Sequence, residues 1–331
     1  MRIARDTLDF VTLCAYKVRM NTVTVQDENA VLELRLATRA PFGWPDMLAY
    51  FAMRGIPGVE HVESSPAHAS YARSVRIGAL HGWLRVTQLP AQGELLLETA
   101  PALAPVLTQL TERVRQQFDL DADPQAIHAR LAQDPLLATT ITRLPGTRVP
   151  GAFDPFELAV RAVLGQQVSV AGATTLSGRL VKKYGATIDS PFIGVTHEFP
   201  MAGTLAQADP LELAQIGLPK ARARTICNIA QFVVDGGMDF AAQTTLEEAV
   251  RHLRTVAGIG EWTAQYIALR ALRFADAFPG GDLGLQKAAA VNDPTTERLT
   301  EKQLLLRAQD WSPWRGYAAL LLWHSLALDK S

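Results

Sequence analysis

Two rhythms of apolar residues divide the chain. In NAVLELRL (29–36), YARSVRI (71–77), WLRVTQ (83–88) and GELLLET (93–99), apolar and polar positions alternate, as in strands with one buried face. Residues 45–54 between the first two runs have helical spacing. GIPGVEHVE (55–63) carries two glycines, but no helical period follows them, so it reads as a helix C-terminus leading toward a strand. From Pro101 onward the spacing is helical, interrupted by Pro or Gly clusters at 121–124, 144–151, 190–194 and 278–281. The pattern predicts an α+β fold, in which a small antiparallel sheet domain with helices precedes two all-α domains.

The stretch VAGIGEWTAQYIALR (256–270) places a glycine on each side of Ile259 just before a helix. Upstream, TLEEAVRHLRTV (245–256) opens with a capping box, Thr245 and Glu248, and carries Leu246, Val250, Leu253 and Val256 at helical spacing. Downstream, Trp262, Tyr266 and Leu269 fall on one face of a second helix. The segment reads as helix, glycine hairpin, helix. Glycine permits positive φ and removes the Cβ that would hold another molecule away. The bare N–H groups at Gly258, Gly260 and the turn after them suit a phosphate oxygen. An αα-hairpin with a glycine cap and no ligand fits the same residues equally well.

Composition narrows the class. The 331 residues, 48% hydrophobic and 20% charged, suffice for two or three globular units. No apolar run is long enough to span a bilayer, and TLDFVTLCAY (7–16), interrupted by Asp9, lacks the cleavage site of a secretory signal. Cys14 and Cys227 are too few for a disulfide framework, a four-thiolate zinc site or an iron–sulfur cluster, which fits a reducing cytoplasm. A net charge of −1 argues against coating nucleic acid by charge alone, so any DNA contact is local.

Asp282 ends the loop in FADAFPGGD and precedes the helical run LGLQKAAA. As an N-cap it would stabilise that helix by about 1 kcal/mol, and capping is compatible with chemistry. The hairpin GIGEWTAQY, the carboxylate after PGGD, the block FELAVRAVLGQQVSVAGA (156–173), FDLDADP (118–124) and the closing WSPWRGYAALLLWHS (311–325) together resemble one family. This is the bacterial alkylbase DNA glycosylases of the helix-hairpin-helix superfamily, the 3-methyladenine DNA glycosylase II family. The resemblance runs from about residue 40 onward.

The resemblance implies a monofunctional glycosylase that flips alkylated bases out of duplex DNA and hydrolyses the N-glycosidic bond. Asp282 would be the catalytic carboxylate, and Trp262, Tyr266, Trp323 and Tyr50 would line the base pocket. On composition alone each of these aromatics is core packing. DNA contacts would come from Gly258, Gly260, Thr263 and Gln167, the last standing where the family's best-known member has a gap-filling leucine. Backbone carbonyls of Arg254, Val256 and Ile259 would hold a monovalent cation. No other cofactor is implied, and the partner is double-stranded DNA met by a monomer in the bacterial cytoplasm, at the nucleoid, with no membrane association. Lys220, Arg222 and Arg224 read as a solvated basic face, Glu261 as exposed, and Arg315 as a tie for the last helix.

Domains are expected at 26–123 (sheet), 154–275 (helical, with the hairpin) and 124–153 plus 276–331 (second helical). Residues 1–25, without counterpart in the resemblance, are expected to be a disordered leader, with Met20 a natural start. Relatives that also cut the strand carry a lysine where Trp262 stands, so strand cleavage is not expected, and Lys287 is the nearest downstream lysine. The competing classes are a damage-binding protein that has lost its chemistry and an enzyme that nicks the strand.

Overall fold

The computed structural model describes residues 19–20, 31–65, 68–239, 245–290 and 298–328. Strands β1 (Arg19–Met20), β2 (Leu32–Ala37), β3 (Glu60–Ser64), β4 (Ala69–Ile77), β5 (Leu80–Leu89) and β6 (Glu94–Thr99) form one antiparallel sheet in the order β1-β2-β6-β5-β4-β3. The alternation along β5 and β6 has its expected effect: Leu84, Val86, Leu95 and Leu97 all point into the core. Arg19–Met20 fall in the stretch expected to be a leader, yet they pair with β2, whose edge offers unpaired backbone groups. The rest of 1–25, like the first residues of the predicted strand at 29–36, lies outside the described residues.

Helix α1 (Trp44–Arg54) and helix α2 (Leu107–Gln117) close this core, in which Trp44, Phe51, Tyr71 and Phe118 pack ring against ring. The first long helix after Pro101 therefore packs against the sheet.

The helical part comprises α3 (Pro124–Leu131), α4 (Pro135–Arg143), α5 (Pro155–Leu164), α6 (Val170–Tyr184), α7 (Ala202–Ala206), α8 (Pro210–Ala214), α9 (Lys220–Val234), α10 (Leu246–Leu253), α11 (Glu261–Arg270), α12 (Leu283–Ala288), α13 (Glu301–Arg307) and α14 (Arg315–Leu328). Four of these helices start the same way. Asp123, Asp134, Asp154 and Asp209 each accept first-turn N–H bonds, and a proline fills the next position, where no N–H is needed. A second contiguous core, from Ile56 to Leu322, unites these helices.

Two buried struts fix α11 and α14 against the sheet domain. Arg270, at the end of α11, donates to Pro150 O (2.6 Å) and Gly151 O (3.2 Å), while Gly151 N donates to Gln117 O (2.8 Å) at the end of α2. Asp119 accepts from Val149 N (3.0 Å) and the Tyr317 hydroxyl (2.7 Å) and pairs with Arg273.

Candidate active site

The hairpin is built from α10, a turn at residues 254–260, and α11. The Thr245–Glu248 capping box forms in both directions, and Ile259 N donates to Val256 O (3.0 Å), closing the turn. Ile259 and Val256 are buried, so the residue between the glycines anchors the turn in the core. The two glycines do different work. Gly258 takes φ +97°, a conformation that suits glycine, with Thr225 of α9 packed against the place a Cβ would occupy. Gly260 is the extended N-cap of α11 (φ −87°), and nothing lies within 4 Å of its missing Cβ. Positive φ is thus used at Gly258 alone of the two; Gly260 leaves open space in front of the helix start. The N–H groups of Glu261, Trp262 and Thr263 face that space without intrahelical acceptors.

The Thr263 side chain is buried and its hydroxyl accepts from Gln166 Nε2 (3.1 Å), which leaves its N–H as the group facing the helix start. That bond ties the α5–α6 loop to α11. At the tip of this loop Gln167 is exposed with φ +54°, beside the half-exposed Val168. Lys220 and Arg224 are exposed on α9, whereas Arg222 is half-buried with one unpartnered guanidinium nitrogen. Glu261 is exposed and pairs with Arg254 (2.8 Å), and Arg315 pairs with Asp276 (2.8 Å), tying down α14 as expected.

The loop before α12 delivers Asp282 to the mouth of the cleft. Asp282 N donates to Pro279 O (2.9 Å), and Gln286 Nε2 holds Gly280 O (3.1 Å). The carboxylate caps α12 and serves the site at once. Its Oδ1 accepts from Leu285 N (3.0 Å) and Trp323 Nε1 (3.0 Å), and its Oδ2 accepts from Trp262 Nε1 (3.1 Å). Donors from α11, α12 and α14 thus fix both oxygens in one orientation. Trp262 stacks on Tyr266 (5.3 Å, 9°), and Tyr266 meets Trp323 edge to face (6.5 Å).

One turn deeper along α11, the hydroxyls of Tyr266 and Tyr50 lie 3.3 Å apart, and Arg270 Nη1 donates to Tyr266 Oη (2.6 Å). The guanidinium groups of Arg54 (4.4 Å) and Arg270 (4.8 Å) lie against the Tyr50 ring, so its faces are partly taken up by these cations. Burial dominates at Tyr50 and raises its pKa. Burial also acts on Tyr266, but the charge of Arg270 and the hydrogen bonds with Tyr50 and Arg270 prevail and lower it.

These groups line one cavity of about 780 Å³ between the sheet domain and the helices. Its other polar walls include Arg161, His324 and the pair Arg73–Glu157 (2.7 Å). Burial pushes Glu157 up to about 7 against the pull of Arg73. None of the described lining residues is a lysine, and Lys287 is exposed on α12, away from the cavity. A second hollow of about 570 Å³, bordered by Arg251, Asp276 and Leu305, also touches Trp262 but not Asp282. Asp282, Trp262, Tyr266, Trp323 and Tyr50 thus converge as expected. Arg270, Arg161 and Glu157 escaped the sequence reading, although the four-residue spacing of Tyr266 and Arg270 placed the arginine on the pocket face.

Residues 33–154 match the AlkA N-terminal domain, and residues 160–313 match the HhH-GPD superfamily base excision DNA repair proteins. The chain is 34% identical over 287 residues to DNA-3-methyladenine glycosylase 2 of Escherichia coli (strain K12), covering 86% of this chain and 94% of that protein. It is 38% identical over 295 residues to the probable bifunctional transcriptional activator/DNA repair enzyme AlkA of Mycobacterium tuberculosis, covering 89% of this chain. It spans 57% of the length of that relative. A solved 3-methyladenine DNA-glycosylase from Archaeoglobus fulgidus superposes with a TM-score of 0.74 at 20% identity, covering 87% of this chain and 96% of that one, a likeness of fold.

Proposed function

The chain belongs to the DNA-3-methyladenine glycosylase 2 family of HhH-GPD base excision repair proteins, and from that premise we propose that it removes alkylated purines from duplex DNA by hydrolysis. The observation that carries the reading is the Asp282 carboxylate, held by two indole N–H groups beside the Trp262–Tyr266 stack at the mouth of the cleft. A base flipped out of the duplex enters the cavity and meets the aromatic surfaces, which favour an electron-poor, cationic ring. The glycosidic bond breaks with its electron pair going to the base. Asp282 stabilises the oxocarbenium-like sugar and orients the water that adds to it. A purine methylated on a ring nitrogen already carries the positive charge that protonation would supply, so no second carboxyl group is required. Glu157 is committed to Arg73, and Glu60 to the Tyr71 hydroxyl and Ile56 N.

The free N–H groups at the start of α11 bind a phosphate of the lesion strand, with Lys220 and Arg224 adding charge nearby. Gln167 fills the gap the base leaves. Three neutral carbonyl oxygens, those of Arg254, Val256 and Ile259, suit a monovalent cation, which would help neutralise the same phosphate; the Val256 carbonyl, bonded to Ile259 N, keeps a second lone pair for it. The reaction needs water and no redox or organic cofactor. The protein acts as a monomer on double-stranded DNA in the bacterial cytoplasm. Among the described residues no helix is long and apolar enough to cross a membrane.

Because Trp262 occupies the position a Schiff-base lysine would need, the product is an intact strand with an abasic site. Incubation with methylated duplex DNA, followed by chromatography, is expected to yield free methylpurines, with breaks only after hot alkali. A protein–DNA adduct trapped by borohydride would overturn the monofunctional assignment.

A further inference from the structure

A flipped nucleotide carries a phosphate on each side of its sugar, and the start of α11 accounts for one of them. The Asp282 carboxylate stands between two elements. Its Oδ2 accepts from Trp262 of α11, on the hairpin side, while its Oδ1 accepts from Leu285 N of α12 and Trp323 Nε1 of α14. With the sugar at Asp282 and one phosphate at the hairpin, the lesion strand continues on the α12 side.

The residues of α12 divide by direction. Leu285 and Ala288 are buried, and Gln286 turns inward to Gly280 O. Gly284 faces the site: a Cβ there would lie 3.0 Å from Asp282 Oδ1 and 3.6 Å from Trp323 Cδ1. Leu283 and Lys287, four residues apart, share the remaining face. Leu283 is 63% exposed, and Asp282 and Gly284 on either side of it line the cavity while Leu283 does not. Its side chain therefore projects outward from the mouth of the cleft, where an apolar group gains only when another molecule covers it. Lys287 is exposed and forms no ion pair among the described residues.

We propose that this outward face of α12 is a second DNA contact, on the side of Asp282 away from the hairpin: Leu283 packs against the sugar and base edge of the nucleotide beside the flipped one, and Lys287 pairs with its phosphate. The inference rests on the glycosylase reading above. Four residues of helix span about 6 Å, within the reach of a lysine side chain, so both groups meet one nucleotide. The chain as a whole carries a net charge of −1, so its hold on an anionic strand depends on cations placed singly at the contact. Leu283 also excludes water beside the sugar, which strengthens the pull of Asp282 on the developing cation.

The test uses the full chain and a duplex carrying an abasic analogue, with affinity followed by fluorescence anisotropy over a series of salt concentrations. Leu283→Ala should weaken binding by about tenfold, the worth of covering most of a leucine. It should leave the salt dependence unchanged, because an apolar contact releases no counterion. Lys287→Gln should make the slope of log affinity against log salt shallower by about 0.9, the share of one phosphate. Lys182→Gln removes the same charge at the end of α6 remote from the cavity, and should bind and respond to salt like wild type. All three side chains are exposed, so the urea midpoints should stay near the wild-type value. Wild-type affinity in Leu283→Ala, a wild-type slope in Lys287→Gln, or an equal change of slope in Lys182→Gln would overturn the contact while leaving the glycosylase assignment intact. Wild-type protein that releases no methylpurine from methylated duplex DNA would overturn both.

Discussion

Substituting the two hairpin glycines separates folding from DNA binding, because each lacks a Cβ for a different reason. At Gly258, alanine must keep φ near +97°, which costs about 1–2 kcal/mol for an L-residue. Its Cβ would collide with Thr225 Oγ1 and lie 2.7 Å from Thr225 Cγ2, adding about 1–3 kcal/mol of overpacking in a rigid seam between the turn and α9. Gly258→Ala should therefore lose about 2–5 kcal/mol of folding stability, read from the urea midpoint. At Gly260 the backbone is already extended and the Cβ position is empty, so Gly260→Ala should cost less than about 1 kcal/mol of stability. In the proposed phosphate cradle its methyl group would stand where the phosphate binds. Losing one charge-assisted hydrogen bond is worth about 1.5–3 kcal/mol, so affinity for a duplex with an abasic analogue should drop by about ten- to a hundredfold. Fluorescence anisotropy at fixed salt measures it. Wild-type affinity in Gly260→Ala would refute the phosphate cradle, and wild-type stability in Gly258→Ala would refute the packing argument.

Trp323→Phe keeps a ring against Tyr266 but removes one of the donors that orient Asp282. Single-turnover base release should slow by about ten- to a hundredfold, the worth of a hydrogen bond to a charged group. Arg270→Met leaves Pro150 O, Gly151 O and the Tyr266 hydroxyl without their donor, and should lower the free energy of unfolding by about 3–5 kcal/mol in urea titration. Glu157 also predicts a pH effect. Its folded pKa, about 7, lies above the ordinary carboxyl value, so its contribution to stability is fully present below about pH 4.5 and is lost as pH rises through 7. Glu157→Gln should flatten that part of the stability–pH profile, measured by urea midpoints at each pH.

The parts of the site legible in the sequence are those encoded by neighbours in the chain. The capping box at Thr245, the paired glycines and the loop that presents Asp282 are local patterns, and the structure builds each of them. Side-chain direction was partly legible. Helical spacing correctly put Trp262 and Tyr266 on one face, but it also put Leu269 there, and Leu269 is core. The same face of α11 runs from the mouth of the cleft into the interior, so periodicity gives direction but not depth. Thr263 shows the same limit: its backbone faces the helix start while its hydroxyl turns inward to Gln166. The Tyr50–Tyr266 contact, across 216 residues, and the Arg270 bonds to Pro150 and Gly151 have no local signature. Only the packing of the sheet domain against α11 creates them.

The central claim is that one carboxylate, oriented by two indoles, carries the hydrolysis. Asp282→Asn removes the charge, and it puts an amide N–H₂ where Oδ1 or Oδ2 had accepted a hydrogen bond, so some loss of stability should accompany it. The direct measurement is single-turnover release of 3-methyladenine from duplex DNA by wild type and by Asp282→Asn, with both confirmed folded at the assay temperature. The account predicts release by wild type and a fall of at least about a hundred- to a thousandfold in the variant. Release by the folded variant at a rate near that of wild type would contradict it.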